Sequence, residues 1–318
     1  MGRRTKPTVK DYGEYLVLRT VQGVVCMCPW AVGRRLAGYL GHAARFLDLR
    51  FRYPRMVRDI RRAFPHFTPR QVHQVAMAAY RLLFESAVDT LNFMRFGAKG
   101  LELVEVQGLD KLQDAQGKSG IIFVTGHFGC WELLGLVSTA FGYPVASIAR
   151  PRNNPLTDRY LQKLREATGQ RMLEKRGSMR QALHTLKSGG NLAFLIDQDA
   201  RRNGIFVEFL GRPAATVTSV ARLSVGTGAP VAFIYARRPG PQERFEVIIK
   251  SVIWPRPGAD KQEEIRRITE SFTRDIEELV RQWPAEWLWL HNRWKTYPGK
   301  YPGRPQPEGQ AAEPAGEP

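Results

Sequence analysis

From Gly100 onward the chain repeats one pattern, and that pattern restricts the possible folds more than any other feature. Short apolar runs, "GIIFVTG", "PVASIA", "NLAFLID", "APVAFIYA" and "FEVIIKSVI", are separated by helical segments such as "DRYLQKLREATG", "SMRQALHTLKSG" and "TSVARLSVGTG". A continuous apolar run of this length, bounded by turn residues, reads as a buried strand. Strands that alternate with helices predict an α/β fold with a mixed, largely parallel sheet flanked by helices. "LELVEVQG" alternates instead, as a half-buried strand does, and a polar helix links it to "GIIFVTG". The helix "DKQEEIRRITESFTRDIEELVRQW" follows the last strand. The predicted core runs over residues 101–297, and residues 298–318, rich in Pro, Gly and polar residues, read as a disordered tail.

Residues 1–100 read differently. Residues 11–96 are mostly helical in period, and the helix from Thr68-Pro69 onward puts Val72, Val75, Ala76, Ala79, Leu82, Leu83, Ser86 and Ala87 on one face. Thr68 is its expected N-cap, with Pro69 at the first helical position. Residues 1–70 hold 15 Lys/Arg against four Asp/Glu, so +11 of the net +18 lies there. Such a field favours anionic partners: nucleic acid, an anionic bilayer, phosphorylated substrates or an acidic carrier protein. Its apolar stretch is free of charge only from Thr20 to Gly33, short of the roughly 20 residues a span needs. Basic residues beside short apolar helices predict a helical region that lies on a membrane surface, with a tilted, marginal span as the alternative.

The segment with most chemistry is "TGHFGCWELLG", residues 125–135, between a buried strand and a helix. A carboxylate that accepts from one imidazole nitrogen fixes the tautomer, and the other nitrogen can then take a proton from a hydroxyl. His127 and Glu132 are the candidate pair; a histidine capping the turn with a glutamate favoured by the helix dipole is the plainer alternative. Cys130 with His127 as its base is a third reading. Cys26, Cys28 and Cys130 make no disulfide framework and read as free thiols of a reducing compartment. In "ARPRNNPLTD", Arg150 and Arg152 can hold a phosphate or carboxylate with forked donors, or form a solvated loop with Asn-Pro turn chemistry. In "LIDQDA", Asp197 and Asp199 either orient an acceptor hydroxyl or organise their own loop; no third oxygen ligand is spaced to make them a metal site. The tryptophans of "PAEWLWLHNRWKT" fit nucleic-acid stacking, a membrane-interface belt or core packing.

Taken in order, these blocks resemble the lipid A biosynthesis acyltransferases, within the glycerolipid acyltransferase superfamily. "GHFGCWELLG" matches the His-x-x-x-x-Asp/Glu block, preceded by "RDIRRAFPHFTPRQV" and followed by "ARPRNNPLTD", "LIDQDA", "GRPAATVTSVARLSVGTGAPV", Arg237-Arg238 and "PAEWLWLHNRWKT", over residues 12–297. The resemblance implies an O-acyltransferase that moves a fatty acyl chain from acyl carrier protein, or acyl-CoA, to a hydroxyl of a lipid A precursor. It implies His127 as general base oriented by Glu132, and Arg150, Asn154, Asp197 and Asp199 as substrate-binding residues. It further implies no cofactor, no metal and no nucleic acid, and a place on the cytoplasmic face of a bacterial inner membrane. A phosphatidylinositol mannoside or aminolipid acceptor is the alternative within the same chemistry. A basic nucleic-acid-binding protein is the alternative outside it.

Overall fold

The computed structural model describes residues 6–48, 52–96, 98–115, 119–148, 152–173, 177–240 and 244–300. The expected tail, from 301 on, lies outside them. The helices are α1 (Val9–Met27), α2 (Trp30–Asp48), α3 (Arg52–Ala63), α4 (Pro69–Phe96), α5 (Ala98–Leu101), α6 (Leu133–Ala140), α7 (Pro155–Ala167), α8 (Ser178–Lys187), α9 (Ser219–Thr227) and α10 (Lys261–Gln282). The strands are β1 (Val104–Gln107), β2 (Ile122–Thr125), β3 (Val145–Ser147), β4 (Arg171–Met172), β5 (Asn191–Leu195), β6 (Gly204–Phe209), β7 (Arg212–Val217), β8 (Val231–Arg237) and β9 (Phe245–Ile253).

Seven strands form one sheet in the order β1-β9-β8-β2-β5-β3-β4, with β8 and β9 antiparallel and every other neighbouring pair parallel. The sequence therefore predicts the sheet type correctly. All four residues of β2 are buried because it lies between β5 and β8 with apolar layers on both faces. One face packs Ile122, Val124, Leu192 and Phe233 against α8, α9 and α10; the other packs Phe123, Val145, Ala232 and Ile234 against α6 and against Trp30, Val88 and Phe93 of α2 and α4. The first hundred residues thus share the core of the sheet.

The linker expected as a polar helix is a 3-10 helix, Leu109–Ala115. Thr68 caps α4 as expected, its hydroxyl and backbone N–H both bonded to Gln71 Oε1 and its oxygen accepting from Gln71 N. The buried face of α4 is rotated from the expected one in its second half: Leu83 and Ala87 are exposed, whereas Tyr80, Glu85, Asp89 and Asn92 are buried. Asp89 goes inside because Trp30 Nε1 donates to it at 2.8 Å and Arg34 and Arg238 pair with it, so its charge is compensated. The antiparallel hairpin β6–β7, a separate two-stranded sheet, is not foreshadowed by the sequence pattern.

Candidate active site

The site is built where β2 ends. Residues 126–132 turn from the strand into α6, and three neighbours fix their path. Cys130 N donates to Ala236 O of β8 at 2.9 Å, Gly129 N to Glu286 O at 2.8 Å, and Leu288 N to His127 O at 3.0 Å. The φ of Gly129 is 52°, and a Cβ there would run into the Ala236 carbonyl. Side chain Ile276 fills the place a Cβ on Gly126 would take. The backbone clash and positive φ make glycine the fitting residue at position 129, whereas a side chain at position 126 would have to push Ile276 aside.

Sheet register then selects the partner of His127. Thr125 of β2 is level with Leu195 of β5, so the residues two further along each chain, His127 and Asp197, leave the sheet side by side. Asp197 Oδ1 lies 2.8 Å from His127 Nδ1, and Oδ2 accepts from His127 N at 2.8 Å and from Trp287 Nε1 at 2.9 Å. An ionised carboxylate only accepts, so Nδ1 carries the proton and Nε2 is the accepting nitrogen. Burial is the largest influence on both groups, depressing the imidazole and raising the acid, but their mutual attraction and hydrogen bonds outweigh it. Asp197 is consequently held well below the usual carboxylate range and His127 above the usual histidine value.

This corrects the expected pairing. Glu132 stands at the start of α6 with its carboxylate turned to α7, where Oε1 accepts from Arg165 Nη2 at 2.9 Å and Oε2 from Arg165 Nε at 3.3 Å. It reaches His127 only through its field, which favours the imidazolium. Both residues border a cavity of about 480 Å³ between the sheet, α6 and α7. The exposed or half-buried His127, Trp131, Glu132, Arg152, Arg165 and Gln198 form its mouth; the rest of the lining includes Leu134, Phe123, Val145, Ala193 and Ile234, interspersed with Ser138, Ser147, Gln162 and Gln170. Gln198 Nε2 donates a long hydrogen bond of 3.5 Å to His127 Nε2, and both side chains line the cavity, so a substrate hydroxyl replaces the Gln198 amide at this nitrogen.

The other expected site residues fare differently. Arg150 lies outside the described residues. Asn154 is a structural residue: its Oδ1 caps α7 by accepting from Leu156 N and Thr157 N, and its Nδ2 donates to Asp11 O and Glu14 Oε2 of α1. It is buried and borders no part of the cavity. Asp199 organises its loop, with Oδ1 accepting from Arg201 N and its own N–H donating to His291 Nε2 at 3.0 Å. Burial pushes His291 below the usual histidine value, in keeping with a neutral ring that accepts this bond. Arg293 is 1% exposed; burial lowers it to about 10, and it donates to Ala215 O and Thr216 Oγ1, fastening the terminal segment to β7. Cys130 is buried, and burial pushes its thiol well above the usual value, with Asp89 adding to the effect.

The sequence does not mark Arg165, Trp131, Gln198 or Trp287 as site residues. Arg165 sits in an ordinary charged helix, and nothing local distinguishes it. Gln198 lies between the two aspartates of "LIDQDA", whose charges are the stronger sequence signal.

Among known proteins, the bacterial lipid A biosynthesis acyltransferase family matches residues 3–296. The lipid A biosynthesis lauroyltransferase of Escherichia coli (strain K12) is 24% identical over 286 residues, covering 88% of this chain and 91% of that protein. The lipid A biosynthesis palmitoleoyltransferase of the same organism is 26% identical over 275 residues, covering 85% and 87%. A phosphatidylinositol mannoside acyltransferase of Mycobacterium tuberculosis (strain ATCC 25618 / H37Rv) is 24% identical over 214 residues, covering 65% and 64%. With one family spanning nearly its whole length, and with the ordered blocks around His127 and Asp197 in place, the chain belongs to the bacterial lipid A biosynthesis acyltransferases.

Proposed function

We propose that the protein transfers a fatty acyl chain from acyl carrier protein to a hydroxyl of a lipid A precursor, with His127 as general base and Asp197 as the residue that orients it. The observation that carries this reading is the 2.8 Å contact from His127 Nδ1 to a buried carboxylate, with Nε2 facing a cavity whose lining includes the buried Phe123, Leu134, Val145 and Ile234. Nε2 takes the acceptor's hydroxyl proton as its oxygen attacks the thioester carbonyl. The C–S bond then breaks, and the imidazolium returns the proton to the departing thiolate. Asp197 stabilises the imidazolium in between. Arg152 and the Glu132–Arg165 pair at the mouth suit the charged, hydroxyl-rich head of the acceptor, and Gln198 supplies an N–H donor beside the reacting carbonyl.

The setting we propose is the cytoplasmic surface of a bacterial inner membrane. No described helix is long and apolar enough to cross a membrane. Leu16, Val17, Val21 and Val24 of α1 and Val32, Leu36, Tyr39 and Leu40 of α2 are nevertheless exposed, at spacings that gather them on one side of each helix. Arg58, Arg61 and Arg62 on α3 are exposed as well, and with the net charge of +18 they favour encounter with an acidic carrier protein.

The test is His127→Ala in an acyl-transfer assay with acyl carrier protein donors and a lipid A precursor. Wild-type transfer with turnover lost in the variant is expected. Turnover retained in the variant removes the base, and transfer only to a phosphatidylinositol mannoside would reassign the acceptor.

A further inference from the structure

Resting on the acyl-transfer reading, we infer that Gln170 is the stop that sets the length of acyl chain the cavity accepts. The strand residues lining the cavity lie in rows fixed by the sheet register. Thr125 and Leu195 form the row below His127; Phe123, Ala193 and Ser147 form the next; Val145, level with Asn191, lies one row deeper. From the level of Leu195 to that of Asn191 is four residues, a depth of about 13 Å along the strands. Arg171 pairs with Ala146, so Gln170, the residue before it, stands beside Val145 in the deepest row.

There Gln170 bridges the two walls. Its side chain lies across the bare Cα of Gly135 on α6, where any Cβ would collide with the carboxamide. Its Nε2 donates to Thr168 Oγ1 at 3.3 Å, and its Oε1 accepts from Ser147 Oγ at 3.4 Å. The rows above present Phe123, Ala193, Leu134 and Ile234 with the small polar Thr125 and Ser147 between them, whereas Gln170 sets a carboxamide engaged in hydrogen bonds across the lowest row. An alkyl chain descending from the thioester at His127 gains with each methylene until it meets this amide. One more methylene must then displace the amide from its partners or be buried against it, and either is unfavourable. A shorter chain forgoes apolar contact. Preference therefore peaks at one length.

The experiment sets saturated acyl carrier protein donors of increasing even chain length in competition, using wild type, Gln170→Ala and Ala193→Leu with one lipid A precursor. Gln170→Ala deepens the cavity and moves the optimum to longer donors. Ala193→Leu fills the row above the floor and moves it to shorter ones. A methylene gained or lost changes selectivity about fourfold, so a two-carbon step changes the ratio of kcat/KM by roughly fifteenfold. Gln170→Asn draws the amide back by one methylene and should move the optimum the same way by less, so the comparison stays decisive should Gln170→Ala fold poorly. Folded Gln170 variants transferring acyl chains with the wild-type length profile would overturn the stop, whatever Ala193→Leu does, while leaving the acyl-transfer reading intact. Wild type transferring none of the donors would overturn that reading instead.

Discussion

Asp197→Asn separates the assignment of the orienting carboxylate from every alternative. The wild-type carboxylate takes three N–H bonds, two on Oδ2 and one on Oδ1. An asparagine has one acceptor oxygen and one donor nitrogen, so it cannot face all three donors. Keeping its oxygen on the Oδ2 side preserves the bonds from His127 N and Trp287 Nε1 and turns the amide N–H₂ toward His127 Nδ1. The imidazole then holds its proton on Nε2, and the nitrogen facing the cavity can no longer accept one. Loss of a positioned base costs about 10² to 10⁴ in rate, or about 2.7 to 5.4 kcal/mol in the barrier. The lost charge-assisted hydrogen bonds cost about 1.5 to 3 kcal/mol of stability, so thermal unfolding is measured alongside. The pH profile gives an independent sign. His127 works as the neutral ring, so kcat/KM is present above its pKa and falls as pH drops through it. In wild type that limb lies above the ordinary value of 6.5 because Asp197 outweighs burial; in the variant burial prevails and the limb moves below it. Plateau kcat and acid limb both unmoved in a folded variant would refute the dyad.

Three further outcomes follow from the geometry. Glu132→Gln, Arg165→Gln and the double variant should form a non-additive cycle, the double costing no more than the worse single because both remove one half-buried pair, worth about 1 kcal/mol; in none of them should the acid limb move as it does in Asp197→Asn. Asn154→Asp keeps the acceptor that caps α7 but loses both donors to α1 and sets a charge beside Glu14, so limited proteolysis should cut near α1 sooner, whereas Asn154→Ala should lower stability by about 1 to 2 kcal/mol from the lost cap. Cys130→Ala should keep wild-type kcat/KM, and the native protein's Cys130 should resist thiol reagents until unfolding, since the thiol is buried and held protonated; rapid labelling with loss of activity would restore the thiol reading.

How much of this was legible in the sequence depends on whether the deciding contact is local. β2 announces itself because a strand buried on both faces must be apolar throughout, and His127 because the glycines on either side of it mark a forced turn. The partner of His127 does not, since Asp197 is 70 residues away and only strand order makes them neighbours. Glu132 sits close in sequence and therefore looked the better partner, but the helix it starts turns it toward Arg165, a residue with no distinguishing context. Asn154 shows the same limit from the other side. Its Asn-Pro context reads as turn chemistry, and the structure makes that turn the start of α7, while the two bonds that tie it to α1 depend on packing that sequence does not display. The β6–β7 hairpin stayed hidden because its two-residue turn is Leu210-Gly211, with φ of 53° and 74°. A leucine in that conformation contradicts the usual turn signal, and it is held by burial and by its N–H bond to Glu277.

The register that places Asp197 beside His127 also dates the site within the folding reaction. Neither β2 nor β5 can present its residue correctly until the two have paired in parallel, which requires closing the chain between them, together with β3, β4, α6, α7 and α8. Trp287, the third member, comes from 90 residues further on. Such non-local pairings form slowly compared with helices, whose contacts are local. On refolding, helical signal from α4 and α10 returns before the dyad exists, and regained turnover is the clock for sheet closure.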